Sequence, residues 1–468
     1  MDGPRSRRRG RRLFESIATV KKESDGVYFT TMMLGSPTQQ AFTVIVDTGS
    51  STIAVPCKGC KCGPHAHFDA AKSVTERHVG SYNQCYGEGS CNRGVRYSDK
   101  MCFGDHCALN ATAIDHAFGC CTVYAPAFQA QKADGIVGLS PAGQTLIASL
   151  VKRHKLDENK FALCLSASGG ELTVGGVDKS LHRGSMAWLP YTGTSGYYIE
   201  SVGLQVAGEV AVSTGHAVMV DSGTTYTFIP VHIHAALKRK FLEVCASDGM
   251  CMSSSGLNPQ SALAADLRDS IACYEFGSNA EQRLRYFKSF PPITLLLKTV
   301  GNSEPHPFCV PPEAYFFEST SEAHCIGLFS DASFVMGANL MANWNMIFDL
   351  SSSKIGVVRA TCDGKDEIPT LTGICWNGSF PNNGLETKAP QILYSWWIAA
   401  LLLAIALVTA IICLCVALSS IGVDTSRTKY DIVIDDELED QEGAPQEVQM
   451  VDIDGPVERQ RDHHDARE

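Results

Sequence analysis

The sequence predicts an all-β protein with two lobes related by a pseudo-twofold axis, and two observations carry this prediction. From about Gly26 to Cys362, short apolar runs alternate with Gly, Ser, Thr and Asn, which is typical of strands joined by turns. Within that region, FTVIVDTGSSTIAVP (residues 42–56) reappears in kind as AVMVDSGTTYTFIP (residues 217–230). Such a repeat indicates two copies of one structural unit that pack against each other.

The first strands are predicted where the folded pattern begins. GVYFTTMMLGSPTQQAFTVIV (residues 26–46) contains two β-rich runs around a Gly-Ser-Pro-Thr turn. Helical pattern is scarce. Its clearest case is PVHIHAALKRKFLEVC (residues 230–245), which opens with Pro and carries apolar residues at helical spacing. We therefore predict a basic N-terminal segment (residues 1–25), a first lobe (residues 26–190) and a second lobe (residues 191–362).

The C-terminal part of the chain predicts a membrane anchor. Residues 389–423 contain no charged residue, and the run at residues 398–418 alone is long enough to cross a bilayer. Tyr394, Trp396 and Trp397 precede this run, where aromatic rings favour the membrane interface. A buried core helix is the alternative. We predict a stalk (residues 363–391), one C-terminal transmembrane helix (residues 392–420) and an acidic cytosolic tail (residues 421–468).

Cysteine usage predicts an oxidising compartment for the folded body. The chain has 19 Cys, and all but Cys413 and Cys415 precede the predicted span. This density is typical of disulfide-bonded lumenal or extracellular domains. Two glycosylation sequons, at Asn110 and Asn377, are compatible with that side of the membrane. The opening MDGPRSRRRGRRLFES has no apolar stretch like that of a signal peptide, so a lumenal body predicts that the natural N-terminus lies upstream.

The net charge of −11 is concentrated in the tail. Residues 424–468 hold 15 acidic and 5 basic groups, and the body carries no basic footprint, which excludes nucleic acid as a partner. Within the tail, YDIV (residues 430–433) fits a Tyr-x-x-apolar sorting signal, and DDELEDQE (residues 435–442) is an acidic cluster. These features predict sorting adaptors as partners and cycling through the Golgi and endosomes. A solvated polar tail is the alternative.

The repeat places one carboxylate at equivalent positions of the two copies, Asp47 and Asp221. Taken singly, each is compatible with a strand-ending Asp that caps a turn. If the two lobes meet about a pseudo-twofold axis, however, the carboxylates face each other and share one proton. The ionised carboxylate then takes a proton from water while the protonated one donates to a peptide carbonyl. We predict Asp47 and Asp221 as the catalytic residues.

The residues next to each aspartate suit this chemistry. Gly49 and Gly223 let the backbone come close and offer N–H groups to the carboxylates. Thr48 and Ser222 are predicted to hydrogen-bond across the seam between the lobes. The remaining pair of hydroxyls, on Ser50 and Thr224, is predicted to hold the outer carboxylate oxygens.

From about residue 26 to residue 362, the sequence resembles the pepsin-like aspartic proteases. The two Asp-Thr/Ser-Gly motifs match the aspartates of that family, and YGEGS (residues 86–90) resembles its β-hairpin flap, which makes Tyr86 and Gly87 candidate substrate contacts. Further segments resemble the apolar-Gly segments and the interlobe linker: DGIVGLS (134–140), FVMGANLMANWNMIFDLSSSKIGVV (334–358) and WLPYTGTSGYYIESVGLQV (188–206). The resemblance implies two β lobes with a cleft that binds extended polypeptides.

The sequence also departs from that pattern and adds to it. Ala54 stands where these proteases often have a Trp that pairs with the flap Tyr. CKGCKCGPHAH (residues 57–67) and the Cys that follow resemble the Cys-rich insertion of nepenthesin-type enzymes and of the membrane-anchored plasmepsin V. RYSDKM (residues 96–101) resembles the strand after the flap of the latter. In the second lobe the resemblance implies disulfides Cys245–Cys251 and Cys273–Cys325.

Two points about the cysteines stay open. Seventeen lumenal Cys is an odd number, so one thiol stays free or pairs between chains. The alternative to disulfides in the insertion is a zinc site, with the candidate ligands Cys57, Cys60, Cys62, His65 and His67. We predict disulfides there and no metal.

These observations predict a type I single-pass membrane protein whose lumenal body is an aspartic endopeptidase acting on extended protein or peptide substrates. We expect a monomer without a cofactor, in the endoplasmic reticulum, Golgi, endosome or lysosome. One alternative is a catalytically silent pepsin-like module that binds a partner or inhibits an enzyme. Another is a Cys-rich, zinc-binding receptor ectodomain.

Overall fold

The computed structural model describes residues 16–22, 26–87, 89–104, 113–142, 145–213, 215–246, 250–253, 271–277, 279–301, 304–319 and 323–362. The first part of the chain contains strands β1 (Ser16–Lys22), β2 (Tyr28–Leu34), β3 (Gln40–Asp47), β4 (Ile53–Pro56), β5 (Arg77–Cys85), β6 (Cys91–Phe103), β7 (Ile114–Val123), β8 (Gly135–Gly138), β9 (Lys160–Ser166), β10 (Gly169–Val174) and β11 (Ala187–Pro190). It also contains helices α1 (Pro126–Ala130) and α2 (Leu146–Lys152), with 3₁₀ turns at Ala70–Lys72 and Lys179–Leu181.

The second part contains strands β12 (Tyr198–Val206), β13 (Glu209–Val212), β14 (His216–Val220), β15 (Thr227–Pro230), β16 (Cys273–Glu275), β17 (Ile293–Leu297), β18 (His306–Val310), β19 (Phe316–Glu318), β20 (Ala323–Ile326), β21 (Leu328–Asp331), β22 (Val335–Met336), β23 (Trp344–Asp349) and β24 (Lys354–Arg359). Its helices are α3 (Val231–Cys245), α4 (Ala280–Phe287), α5 (Pro312–Tyr315) and α6 (Ala338–Met341). The described chain is thus mostly β-sheet with few helices, which confirms the β-sheet part of the predicted fold class.

The predicted helix at residues 230–245 is α3, and its burial pattern explains its formation. Pro230 immediately precedes it, and the buried residues Ile233, Leu237, Phe241 and Cys245 recur every four positions. This spacing puts them on one face of a helix, which packs on the second lobe. Tertiary burial of that face therefore stabilises the helix.

The internal repeat corresponds to a repeated arrangement of strands. In the first lobe, β8 lies parallel to β3 and antiparallel to β4, and β4 lies parallel to β7. In the second lobe, β22 lies parallel to β14 and antiparallel to β15, and β15 lies parallel to β21. Each repeated motif connects two of these strands, β3 and β4 in the first lobe and β14 and β15 in the second. The Asp of each motif therefore lies at the middle of its sheet.

The folded region begins before the predicted boundary at residue 26. Strand β1 pairs with β10 through Ser16–Val20 and with β2 through Lys21 and Lys22. Its sequence, SIATVKK, is short and flanked by charges, so no clear strand pattern is visible in it. Pairing with two neighbours, which a local pattern cannot reveal, makes it a strand.

The two lobes also share a sheet. Strands β23 and β24, which the sequence assigned to the second lobe, pair with β9 and β11 of the first, and the sheet runs in the order β11-β24-β23-β9-β10-β1-β2-β3-β8-β4-β7-β6-β5. Phe161, Tyr197 and Phe348 pack where the parts of the chain meet, with the Phe161 and Phe348 rings stacked at 4.6 Å. The Tyr197 hydroxyl donates to Leu139 O at 2.7 Å. This shared core fixes one lobe against the other.

Disulfides reinforce the described body. The predicted pairs Cys245–Cys251 and Cys273–Cys325 are confirmed. The other pairs that join two described residues are Cys57–Cys120, Cys60–Cys62, Cys85–Cys91 and Cys164–Cys362, and Cys102 and Cys309 are disulfide-bonded as well. Cys164–Cys362 joins residues 198 positions apart and ties the end of the described chain to β9. A cross-link over so long a loop removes a large entropy from the unfolded chain.

Several predictions lie outside the described residues. They are the sequons at Asn110 and Asn377, the stalk (363–391), the transmembrane helix (392–420) and the tail (421–468). Within the described part of the chain, no helix has the length and apolar character needed to cross a bilayer.

Candidate active site

Asp47 and Asp221 lie at the ends of equivalent strands. Asp47 is the last residue of β3, and its carbonyl accepts a hydrogen bond from Leu139 N at 2.7 Å. Asp221 directly follows β14, and its N–H donates to Met336 O at 3.0 Å. Both strands are buried in the middle of their sheets, so the position of each aspartate is fixed by the ladders around it.

Thr48 and Ser222 link the two copies through four hydrogen bonds. The Thr48 hydroxyl donates to Val220 O at 2.9 Å and accepts from Ser222 N at 2.9 Å. The Ser222 hydroxyl donates to Val46 O at 2.6 Å and accepts from Thr48 N at 3.1 Å. Both side chains are almost fully buried. This reciprocal network is the one predicted across the seam, and it joins strands 172 to 176 residues apart.

The two carboxylates are hydrogen-bonded in the same way. Asp47 accepts from Gly49 N at 2.8 Å through one oxygen and from the Ser50 hydroxyl through the other. Asp221 accepts from Gly223 N at 2.9 Å and from the Thr224 hydroxyl at 2.6 Å. Gly49, Ser50, Gly223 and Thr224 therefore each contact the aspartate of their own repeat.

Gly49 and Gly223 each lie so close to the opposite carboxylate that no side chain fits at either position. A Cβ at Gly49 would lie 2.5 Å from the Asp221 carboxyl carbon, and a Cβ at Gly223 would overlap the Asp47 carboxylate. Real Cβ atoms do not come so close to another group, so any larger residue would force the carboxylates apart. The glycines thus allow two acidic groups to share one site.

The two carboxylates differ in how deeply they are buried. Asp47 is 4% exposed, whereas Asp221 is partly exposed. Burial, and then the charge of Asp221, raise the pKa of Asp47 well above its ordinary value, although hydrogen bonds from Ser50 and Gly49 oppose the shift. Two adjacent carboxylates cannot both ionise easily, so the pair holds one proton over a wide pH range.

A cleft of about 740 Å³ opens above the aspartates. Both lobes line it, and the β5–β6 hairpin contributes Tyr86 and Gly87. The hairpin tip is closed by a hydrogen bond from Tyr86 N to Ser90 O, by one from Gly89 N to Tyr86 O, and by the Cys85–Cys91 disulfide. Two other lining residues, Phe128 and Asp331, lie outside every segment that the sequence patterns marked.

The flap tyrosine is held by an aromatic contact. Ala54 is fully buried and supplies no hydrogen-bond donor to the flap. The Tyr86 ring lies 4.8 Å from the Phe128 ring, and the Tyr86 hydroxyl is buried without a hydrogen-bond partner among the described residues. Phe128 of α1 therefore supports the flap from the side in a structure that lacks the Trp at position 54.

The Cys-rich insertion is stapled by disulfides. Cys57 bonds to Cys120 and Cys60 bonds to Cys62, so these sulfurs are not thiolates that could hold zinc. His65 lies against Phe128 O at 3.1 Å and 3.8 Å from an Asp134 oxygen. Among the described residues, the cysteine with a free thiol is Cys121, which is fully buried. Burial raises the pKa of Cys121 to about 12, so the thiol stays protonated.

Sequence comparisons with known proteins identify relatives of this chain. The sequence model of the eukaryotic aspartyl protease family matches residues 27–360. The chain is 28% identical to aspartic protease 5 of Toxoplasma gondii over 72% of its own length and 36% of that protein. It is 26% identical to pepsin-2B of Gadus morhua over 73% of its length and 98% of that protein. With plasmepsin V of Plasmodium falciparum it shares 23% identity over 72% of its length and 71% of that protein.

The chain spans about a third of the Toxoplasma protein and most of the other two. The family match includes both Asp-containing repeats, the flap hairpin and the strands shared between the lobes. The chain therefore belongs to the eukaryotic aspartyl protease family and is a pepsin-like aspartic endopeptidase.

Proposed function

We propose that Asp47 and Asp221 activate a water molecule for direct attack on a peptide bond. The observation that carries this proposal is the placement of two carboxylates against each other's Asp-Thr/Ser-Gly loop, at the floor of a cleft lined by both lobes. Asp47 holds the shared proton, because it is the more deeply buried of the two carboxylates and burial disfavours the charged form. The ionised Asp221 takes a proton from water as the water oxygen attacks the carbonyl carbon.

The proton on Asp47 moves to the carbonyl oxygen in the same step, so the tetrahedral intermediate is neutral and no covalent enzyme intermediate forms. When this intermediate collapses, one of its two hydroxyl groups returns a proton to Asp47. Asp221 passes the proton that it took from water to the departing amine nitrogen. The cleft suits an extended polypeptide, and the flap residues Tyr86 and Gly87 cover it.

The experiment uses purified full-length protein and a peptide library cleaved at several pH values from about 4 to 7. Asp47→Asn and Asp221→Asn each remove one acid without changing shape, and each is expected to lower the cleavage rate at least a thousandfold. A control, Glu281→Gln, changes an exposed carboxylate that does not line the cleft and retains cleavage. Unchanged cleavage in either dyad variant would contradict the proposal and leave a silent binding module as the better description.

We further propose that the endopeptidase is anchored by residues 398–418 with its body on the lumenal side of a secretory or endosomal membrane. The uncharged run, the disulfides and the acidic tail support this topology. The test is protease protection of membrane vesicles that contain full-length protein tagged at its C-terminus. Loss of the tag with a protected body supports the topology, and extraction of the whole protein by alkaline carbonate contradicts it.

A further inference from the structure

A second cavity, of about 550 Å³, adjoins the active-site cleft. Ser51 and Gln84 line both spaces, so a peptide side chain that passes these two residues lies next to the second space. The remaining walls come from β5, β6 and β7 and from the C-terminal end of α2. We call this space the flap-side cavity. It is not needed for the chemistry of the two aspartates.

Strand register explains which side chains meet in the flap-side cavity. In the β6–β7 pair, Arg96 lies opposite Gly119 and Ser98 lies opposite Ala117. Opposed residues of an antiparallel pair project from the same face, so the small residues of β7 leave room beside Arg96. The Tyr82 ring fills part of it, since a Cβ at Gly119 would lie 2.5 Å from that ring.

Three cations line the flap-side cavity: Arg96, Lys152 and Arg153. The carboxylate in its lining, Asp115, lies 3.1 Å from Lys100 and 3.7 Å from Arg153, so it is already shared by two cations. Arg96 and Lys152 are exposed, and neither has an ion pair to a described residue. The cavity therefore carries positive charge that its own walls do not neutralise.

His116 supports this reading of the local charge. It lines the cavity, and burial together with the charges of Arg96 and Arg153 lowers its pKa to about 4. The floor of the neighbouring cleft is the opposite in sign. Its described lining includes Asp47, Asp221 and Asp331 and no Lys, Arg or His. An acidic side chain on a bound peptide is thus repelled by the cleft floor and attracted by the flap-side cavity.

We propose that the flap-side cavity is a specificity subsite that binds an anionic side chain of the polypeptide substrate, with Arg96 and Lys152 as its principal cationic groups. The proposal rests on the endopeptidase function given above. Guanidinium and ammonium groups form charge-assisted hydrogen bonds with carboxylate and phosphate oxygens. Hydroxyl groups of Ser51, Ser98 and Ser149 in the lining supply further donors.

The test uses full-length protein and peptides that share one cleavable core. Glu, Gln, Lys or phosphoserine is placed at one position at a time on either side of the scissile bond. The proteins are wild type, Arg96→Gln/Lys152→Gln, the reversed Arg96→Glu/Lys152→Glu, and Lys152→Gln alone as a milder variant on an exposed helix end. Arg239→Gln/Arg285→Gln is the matched control, because both residues are exposed on helices of the second lobe.

The readout is the ratio of kcat/KM for the Glu and Gln peptides within each protein, which cancels any general loss of activity. At one position the wild type is expected to prefer Glu at least tenfold, mainly through KM. The ratio falls to about one in the neutralised variant, the reversed variant prefers Lys, and the control keeps the wild-type ratio. A preference for phosphoserine over Glu would assign phosphate as the anion, and the reverse would assign carboxylate.

A Glu/Gln ratio that is unchanged in the neutralised variant, or close to one at every position in the wild type, would overturn the subsite. Failure of the proposed function has a different signature, in which the wild type cleaves no peptide at all. In that case, fluorescence anisotropy of labelled Glu and Gln peptides bound to the Asp47→Asn protein still decides the question. Equal affinities there would overturn the subsite, and tighter binding of the Glu peptide that is lost with Arg96→Gln/Lys152→Gln would uphold it.

Discussion

Asp47 and Asp221 have the same set of hydrogen bonds, yet Asp47 is buried and Asp221 is partly exposed. The shared bonds come from residues within each repeat, so a repeated sequence gives a repeated frame. The difference in burial comes from the parts of the chain that cover the two carboxylates. One of these parts is the tip of the β5–β6 hairpin, which lines the cleft. A symmetric frame under an asymmetric cover lets two chemically identical acids take different protonation states.

The largest expected effect comes from breaking the bonds that make the two halves equivalent. Thr48→Val with Ser222→Ala removes four buried hydrogen bonds, and we expect a loss of about 4–6 kcal/mol in the free energy of unfolding. Urea denaturation measures it. Each single variant should lose about half of this, because the network is reciprocal. A control, Thr299→Val, removes one exposed hydrogen bond, and equal stability of the control and the double variant would contradict the prediction.

The next effect concerns the close approach of each glycine to the opposite acid. Gly49→Ala and Gly223→Ala place a methyl group on the opposite carboxylate, and we expect kcat/KM for peptide cleavage to fall at least a hundredfold. Gly223→Ala should be the more damaging, because the buried Asp47 has less room to move away. Gly215→Ala, whose Cβ would meet its nearest atom at 3.5 Å, is the control. Equal activity in all three variants would show that the carboxylates need not be so close.

A third effect separates the dyad from a half-buried acid outside the active-site cleft, Glu313. Burial raises the pKa of Glu313 from 4.5 to about 7, although a backbone hydrogen bond and the charge of Arg359 oppose the shift. A raised pKa stabilises the fold below the ordinary value, and that stability is lost as the pH rises through the raised value. At pH 8, Glu313→Gln should therefore raise the free energy of unfolding by about 2–3 kcal/mol.

Asp47→Asn should act in the same direction, since burial and Asp221 raise the pKa of Asp47. It should abolish cleavage, whereas Glu313→Gln should leave cleavage near wild type. The measurement is unfolding by urea at pH 4 and pH 8, with the exposed Glu281→Gln as a control. If the wild type is as stable at pH 8 as at pH 4 and neither variant gains stability, the buried-acid prediction is wrong.

The smallest effect is expected at the flap. Because the Tyr86 hydroxyl has no hydrogen-bond partner among the described residues, Tyr86→Phe should lower kcat/KM less than threefold. Phe128→Ala, which removes the ring 4.8 Å away, should lower it more, because the flap loses its lateral support. Steady-state cleavage of one peptide measures both. A tenfold loss in Tyr86→Phe would mean that the hydroxyl contacts substrate in the closed complex.

Local patterns predicted the parts of the site that depend on neighbouring residues. The two Asp-Thr/Ser-Gly repeats each carry their own supporting glycine and hydroxyl, so the sequence contained both half-sites in full. Apolar spacing predicted helix α3, and the resemblance to pepsin-like proteases implied the pairs Cys245–Cys251 and Cys273–Cys325. Strand β1 was missed, because its seven residues become a strand through pairing with β2 and β10.

The sequence by itself determined that two acids belong together, because a repeat with one carboxylate per copy implies a twofold site. It also determined that one of the 17 cysteines before the predicted span stays free or pairs between chains. Only the tertiary structure decided which acid is the buried one, which thiol is free, and which cations meet beside the flap. Asp47 and Asp221 have nearly the same neighbours in sequence, and Arg96 and Lys152 are 56 positions apart. The burial of a group and the electrostatic field at that group depend on which distant residues the fold brings near it. No short segment of the sequence contains that information.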